Sequence, residues 1–283
     1  MRTRLRIVLA VAAIAIIGLL GWKTLRPTEP SYRGRRLSEW LDEYNRAGSP
    51  DKTGPVSEAI RAMGTNSLPF LLANMEHSDS PLSRKFFSLV QKQNWVKLPV
   101  HEPDSYRLPS IMAPSALGSN AAPIFPNLLR FSENASNCAW GASALLAIGP
   151  SSIPTLAKLC QSENEAVRSE AALTIATLKA GHGFFWAWQN APMSSGGVVL
   201  ILPSATFNVV AELLELLANP DPAVRRASAD AIRSYGSPFD QIADWAVKPL
   251  VKALKDPDAA VRLSAGQALT AIDPIAAAKA GVK

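Results

Sequence analysis

The chain has 283 residues, of which 48% are hydrophobic, and a content this high excludes a wholly disordered protein. Its net charge of +6 comes from the N-terminal end, where eight of the 29 basic residues precede Leu37 and only Glu29 opposes them. The remaining sequence holds 21 basic and 22 acidic residues. Because a nucleic-acid interface needs basic side chains along its binding face, this distribution argues against a nucleic-acid partner.

The N-terminus combines a basic head with an apolar run from Ile7 to Trp22. At a rise of about 1.5 Å per residue the run spans roughly 24 Å, a little less than a hydrocarbon core of about 30 Å. Arg6 and Lys23 flank it and can reach the lipid headgroups. A cleavable secretory signal is the alternative, but the polar end of the run carries no A-x-A site. We therefore expect an uncleaved signal-anchor or transmembrane helix at 1–23, inserted through residues 7–22.

The orientation of this anchor has two interpretations. Five basic residues follow the run and favour a cytoplasmic body, whereas the short arginine-rich head resists translocation and favours an exported body. We expect the second, which places the body on the outer, periplasmic side of a bacterial-type inner membrane. Residues 24–36 are basic and Pro-rich and are expected to be a linker, and residues 37–283 are expected to form the folded body.

The body repeats itself. Residues 58–75 align without a gap to residues 143–160, and residues 116–129 carry a third copy. Each copy contains the end of a helix, a glycine turn, a proline and a second apolar helix, which is typical of an α-solenoid. The predicted fold class is therefore all-α: a solenoid of about six stacked antiparallel helix pairs, preceded by one transmembrane helix.

Two further patterns fix the helices of each pair. The first helices carry apolar residues at i, i+3, i+4, i+7 and i+8, with a small residue at i+7 that permits close helix approach. Four first helices are expected to begin at a capping side chain, and four second helices are expected to be opened or preceded by a proline. The small residues are Ala59, Ala116, Ala144, Thr174, Ala231 and Ala268; the caps are Asn134, Asn164, Asp221 and Asp258; the prolines are Pro69, Pro123, Pro154 and Pro249.

The runs NPDPAVRRASADAI, DPDAAVRLSAGQAL and SENEAVRSEAALTI resemble HEAT repeats of the short kind that is also found in phycobilin lyases. The resemblance covers most of residues 55–277. It implies that Asp221 and Asp258 cap helices and that Arg168, Arg225 and Arg262 brace neighbouring repeats. The copy at Asn134 departs, because Asn137 and Cys138 stand where the Val–Arg pair would.

Uneven repeat spacing indicates two insertions, near 81–109 and 181–203. The second contains an aromatic cluster, which we consider the candidate partner-binding site. It either covers an apolar gap between imperfectly stacked repeats or anchors another protein, since Trp and Phe concentrate binding energy at interfaces. The residues concerned are Phe184, Phe185, Trp186 and Trp188.

We identify no candidate catalytic residues in the sequence. The three histidines lie in different turns or insertions, no H-E-x-x-H or C-x-x-C motif is present, and no residues are assigned to catalysis, a metal or a cofactor. Cys138 and Cys160 are either paired or buried as small apolar residues. The predicted function is a membrane-anchored scaffold that binds another protein, with no enzymatic activity, cofactor or small-molecule ligand. The alternatives are a lyase-like or chromophore-handling helper and a structural envelope component.

Overall fold

The computed structural model describes residues 29–47, 54–76, 106–181, 203–235 and 240–282, and these are mainly helical. This agrees with the expected all-α class. The predicted anchor at 1–23, the greater part of both insertions and the aromatic cluster lie outside the described residues. None of the helices in the described ranges combines the length and the apolar character that crossing a bilayer requires.

Thirteen helices and one short hairpin make up the described ranges. The hairpin strands are β1 (Ser31–Tyr32) and β2 (Arg35–Arg36). The helices are α1 (Leu37–Ala47), α2 (Gly54–Met63), α3 (Leu68–Glu76), α4 (Arg107–Met112), α5 (Phe125–Ser132), α6 (Cys138–Ile148), α7 (Ile153–Leu159), α8 (Glu165–Lys179), α9 (Pro203–Leu216), α10 (Pro222–Tyr235), α11 (Asp240–Ala253), α12 (Ala259–Ile272) and α13 (Pro274–Lys279). Gly64–Ser67 and Pro150–Ser152 are short 3₁₀ turns. Ala113–Ile124 is a longer 3₁₀ segment with a kink at Gly118.

The expected apolar face of the first helices is buried. In α10 and α12 all five positions are buried, and α8 buries Val167, Ala171, Thr174 and Ile175. Five of the six small i+7 residues are buried as well; Ala116 is half-buried, because it lies in a 3₁₀ segment and not in an α-helix. The spacing therefore identified the core-facing stripe correctly, even where the helix type differs.

Successive first helices pack against one another. Helix α6 contacts α8, α8 contacts α10, and α10 contacts α12, while α9 packs on both α8 and α10. One continuous apolar core runs from Leu37 to Ala277 through these contacts. Helices α5 and α6 approach closely at Gly141, where an added Cβ would lie 1.8 Å from the Ser132 hydroxyl of α5.

The corner between the helices of a pair recurs with the same chemistry. Gly64 and Gly149 end their helices at φ of 60° and 98°, a region that glycine occupies without strain. Three residues later a fully buried serine donates its hydroxyl back to that glycine's carbonyl, at 2.7 Å from Ser67 and 2.8 Å from Ser152. The corner thus satisfies its own polar groups inside the core.

Two of the local predictions are wrong. Asn134 does not cap α6: that helix begins four residues later, and the Asn134 side chain instead accepts a hydrogen bond from the Ser136 amide within the loop. Pro249 does not open a helix, because α11 has already begun at Asp240. Local residue preference favoured both positions, but the tertiary packing of the neighbouring segments sets the actual helix boundaries.

The segment expected as a linker is folded over its described part, residues 29–36. Arg33 and Gly34 both have positive φ, 51° and 74°, and form the tight turn of the hairpin. Tyr32 packs against Trp40 of α1, whose indole N–H donates to the Tyr32 carbonyl at 3.4 Å. The hairpin therefore covers the N-terminal end of the helical stack.

Candidate protein-interaction surface

Three loops that precede α8, α10 and α12 share one hydrogen-bonding pattern. The side chain of the first loop residue accepts from the backbone N–H of the third, and the third caps the following helix. The first contact is Ser162 with Asn164 at 3.2 Å, Asn219 with Asp221 at 2.9 Å, and Asp256 with Asp258 at 2.9 Å. The caps accept from Ala166, Ala223 and Ala260 at 2.8–2.9 Å.

An arginine completes each of these loops, and we call the loop and its arginine the arginine loop. The Nη1 atom of Arg168 donates to the carbonyls of Ser162 and Glu163 at 2.9 and 2.7 Å. Arg225 and Arg262 bind the carbonyls six and five residues before them in the same way, at 2.7–3.0 Å. The Nη1 atom thus binds the arginine's own loop, and the Nε and Nη2 atoms can donate to a side chain from another segment.

Arg168 directs its remaining donors across to α10. Its Nε donates to Asp230 Oδ2 at 2.9 Å, and Nη2 lies 2.9 Å from the same oxygen. The two side chains are 4% and 2% exposed, so this ion pair is almost completely removed from water. A pair this deeply buried is retained only with good geometry, because both charges lose their hydration.

Arg225 holds a second, less buried carboxylate. Its Nε and Nη2 donate to the two oxygens of Asp256 at 2.8 and 2.9 Å, in a fork geometry. This hydrogen-bonded charge holds the pKa of Asp256 below its usual range. Because Asp256 also belongs to the arginine loop of the next helix, this pair ties one arginine loop to its neighbour.

Arg262 repeats the loop contacts but not the ion pair. Within the described ranges no carboxylate lies within 4 Å of its guanidinium. It lines a groove of about 830 Å³ between α12 and the C-terminal residues, together with Gly266, Thr270 and Val282. The neighbouring Leu263 is 64% exposed.

The opposite end of the stack is covered by polar contacts. The Arg35 guanidinium lies 4.0 Å above the Trp40 ring and 2.7 Å from the Glu43 carboxylate. Arg33 and the Tyr32 hydroxyl both bind Glu58 of α2, at 3.2 and 3.0 Å. The hairpin thus joins α1 to α2 and places paired charges, not apolar side chains, at this end.

The titratable groups Cys138, Cys160 and Glu170 all have raised pKa values. The two cysteines are free and buried, which decides between the two interpretations of these residues, and burial raises the pKa of Cys160 to about 12. Glu170 occupies the i+3 position of the repeated spacing, which is Ala227 in α10 and Ser264 in α12, and burial raises its pKa to about 7. Its charge also adds to the raised pKa of Cys138. In the described part of the chain no group of acidic, histidine or cysteine side chains has the arrangement of a metal site.

The structure brings together only some of the residues singled out in the sequence. Arg168 and Arg225 link successive repeats, and Arg262 lies at the groove. Phe184, Phe185, Trp186 and Trp188 fall outside the described residues. Sequence reasoning missed the carboxylates Asp230 and Asp256; the signal for Asp256 was its recurrence as Ser, Asn or Asp two residues before each cap.

We predict that Arg168→Met destabilises the fold by about 3–5 kcal/mol, because it leaves the Asp230 carboxylate buried without a partner. Guanidinium unfolding followed by circular dichroism measures this. Adding Asp230→Asn should recover part of the loss. Arg130→Met is the matched control: its ion pair with Glu76 is exposed, and its removal should cost about 1 kcal/mol or less. Equal losses in the two single variants would contradict the assignment.

We predict that stability falls as the pH rises from about 4.5 to 7, because burial raises the pKa of Glu170 to about 7 in the folded chain from its ordinary value of 4.5. The folded state binds the extra proton in this window, so the contribution is complete below it and lost above it. Glu170→Gln should remove this slope and raise the melting temperature at pH 8. The exposed Glu133→Gln serves as control, and an unchanged slope in Glu170→Gln would refute the prediction.

Comparison with known proteins supports the repeat assignment. The family model for HEAT repeats matches residues 210–280. No curated protein matches the sequence. Among solved structures, the crystal structure of an engineered protein aligns over 84% of this chain and 96% of its own, at 16% identity and a TM-score of 0.28, which is too low to support a shared fold. The match over residues 210–280 and the mainly helical structure together support a HEAT-repeat protein.

Proposed function

We propose that this protein is a membrane-anchored scaffold whose HEAT-like α-solenoid binds another protein. The observation that carries the proposal is the HEAT match at 210–280, in a segment whose first helices stack through arginine loops. Solenoids present long surfaces built from repeated units, and binding other molecules along such surfaces is their common use. We keep two alternatives, which the test below distinguishes from the scaffold. One is a lyase-like helper of the phycobilin-lyase type, and the other is a structural envelope component.

The membrane part of the proposal rests on residues 7–22. Anchoring would confine the helical body to a layer near the bilayer and raise its effective concentration toward a partner there. The folded hairpin follows directly, so the body begins only a few residues after the proposed anchor. We place the body on the periplasmic side.

The partner-binding part rests on the aromatic insertion and its two flanking helices. Residues 182–202 connect α8 to α9, two helices that pack together and are joined by the Lys179–Glu212 ion pair at 2.8 Å. Hydrogen bonding to Glu212 raises the pKa of Lys179. An insertion with fixed ends can present Phe184, Phe185, Trp186 and Trp188 from a rigid base.

The decisive experiment is affinity purification of the full chain from a mild detergent extract. A stable, stoichiometric protein partner supports the scaffold. A co-purifying chromophore would instead favour the lyase-like helper, and neither product would favour a structural envelope component.

We predict that deleting Met1–Trp22 releases the protein into the soluble fraction, because this is the apolar run that can span the bilayer. Fractionation with high-salt and alkaline washes measures this, with the full chain as control. A full chain that is soluble without detergent, or a mature N-terminus beyond Trp22, would contradict the anchor. Protease treatment of spheroplasts should degrade the body if it is periplasmic.

We predict that Trp186→Ala with Trp188→Ala weakens partner binding by about 2 kcal/mol or more and leaves the melting temperature unchanged, because interface tryptophans concentrate binding energy. Calorimetry with the purified partner measures the first effect. Trp245→Ala, which removes an exposed indole outside the insertion, is the matched control. A loss of several kcal/mol in stability would show that the aromatic cluster belongs to the core.

A further inference from the structure

Helix α11 carries a stripe of positive charge on its outer face. Its inner face is buried through Ala246, Leu250 and Ala253. The two acidic residues of the helix, Asp240 and Asp244, precede the stripe. Among the described side chains no carboxylate lies at ion-pair distance from its lysines. From residue 245 to the turn that follows the helix, the exposed side chains are Trp245, Lys248, Lys252 and Lys255.

The repeat itself does not require this charge. Lys248 and Lys252 flank the fully buried Leu250, two residues away on each side. One basic residue near the end of a helix already complements the helix dipole, as in α5 and α7. Helix α11 therefore carries more positive charge than its place in the stack explains. The exposed residues that flank the equivalent buried leucine are Pro126 and Arg130 in α5, Pro154 and Lys158 in α7, and Ala211 and Glu215 in α9.

We propose that the outer face of α11 lies against the anionic lipid surface of the membrane, with the lysines at the headgroups and Trp245 at the interface with the acyl chains. The negative surface potential of such a bilayer attracts lysines, and tryptophan concentrates at the membrane–water boundary. The Trp245 side chain is 49% exposed. The inference rests on the membrane part of the proposed function and adds a contact far in sequence from the proposed anchor at 7–22.

A protein partner fits this face less well. The grooves of about 830 and 650 Å³ in the described chain are lined by other residues. Trp245 is the one large apolar side chain that is exposed on the described part of α11. Protein interfaces bury several such side chains in pockets and are depleted in lysine. A fluid lipid surface needs no pocket, because long lysine side chains adapt to mobile headgroups.

The test measures acetylation of single lysines in the purified full chain, reconstituted into vesicles of phosphatidylcholine or of an equal mixture with phosphatidylglycerol. A membrane-impermeant reagent and mass spectrometry give each rate, and the exposed Lys158 of α7 is the internal reference. In the anionic vesicles we expect the rates at Lys248 and Lys252, relative to Lys158, to fall at least about threefold. They should recover at about 1 M salt, where the Debye length is about 3 Å.

Lys252→Glu should abolish the protection of Lys248. Arg130→Glu, the same charge reversal at the equivalent exposed position of α5, is the matched control and should leave that protection unchanged. Equal relative rates in the two kinds of vesicle would overturn the proposal, and so would protection that appears only when a protein extract is added. Flotation of the chain with phosphatidylcholine vesicles, which carry no net charge, tests the anchor separately, so that a failure of the anchor and a failure of the α11 face are distinguishable.

Discussion

The buried pair between Arg168 and Asp230 is the contact on which the rest of the stack depends. It joins α8 to α10, helices that are separated in sequence by the insertion and by α9. Two charges that are only 4% and 2% exposed are tolerated only when each finds its partner, so any shift in the stacking of these helices leaves both unpaired. The pair therefore disfavours misaligned packing of α8 on α10 more than it raises the free energy of unfolding. The long insertion between the two helices makes such a constraint useful, because chain connectivity fixes their register poorly.

The arginine loop explains how an ion pair of this kind can recur between repeats with few additional hydrogen-bond acceptors. Nη1 is already satisfied by two carbonyls of the arginine's own loop, so only the Nε and Nη2 edge needs an external acceptor. The loop also satisfies the free N–H groups at the start of the next helix through its capping side chain. One short sequence pattern thus ends one helix pair, begins the next and orients the charge that joins them. Arg225 and Asp256 show the same arrangement nearer to solvent, with side chains 13% and 10% exposed.

The sequence predicted what is local and periodic. The i, i+3, i+4, i+7 and i+8 spacing of apolar residues identified the buried face of α8, α10 and α12, because backbone geometry enforces helical spacing. The hairpin was missed, since its turn requires positive φ at Arg33, a residue type that gives no turn signal. Asn134 was assigned as a cap from its residue type and its place in the repeat, whereas its side chain accepts a hydrogen bond within the loop. Asp230 could not be paired with Arg168 from spacing, because the two lie 62 residues apart and meet only through packing.

The two ends of the described stack differ in kind, and this difference has a physical consequence. At the hairpin end, guanidinium groups stack on Tyr32 and Trp40 and bind carboxylates, so that few donors are left for another molecule. At the α12 end, an oriented arginine and an exposed leucine lie beside a groove of small side chains. Repeat stacks gain stability from each interface they form, and here α13 packs on α12 while Leu254 and Val282 lie beside Gly266.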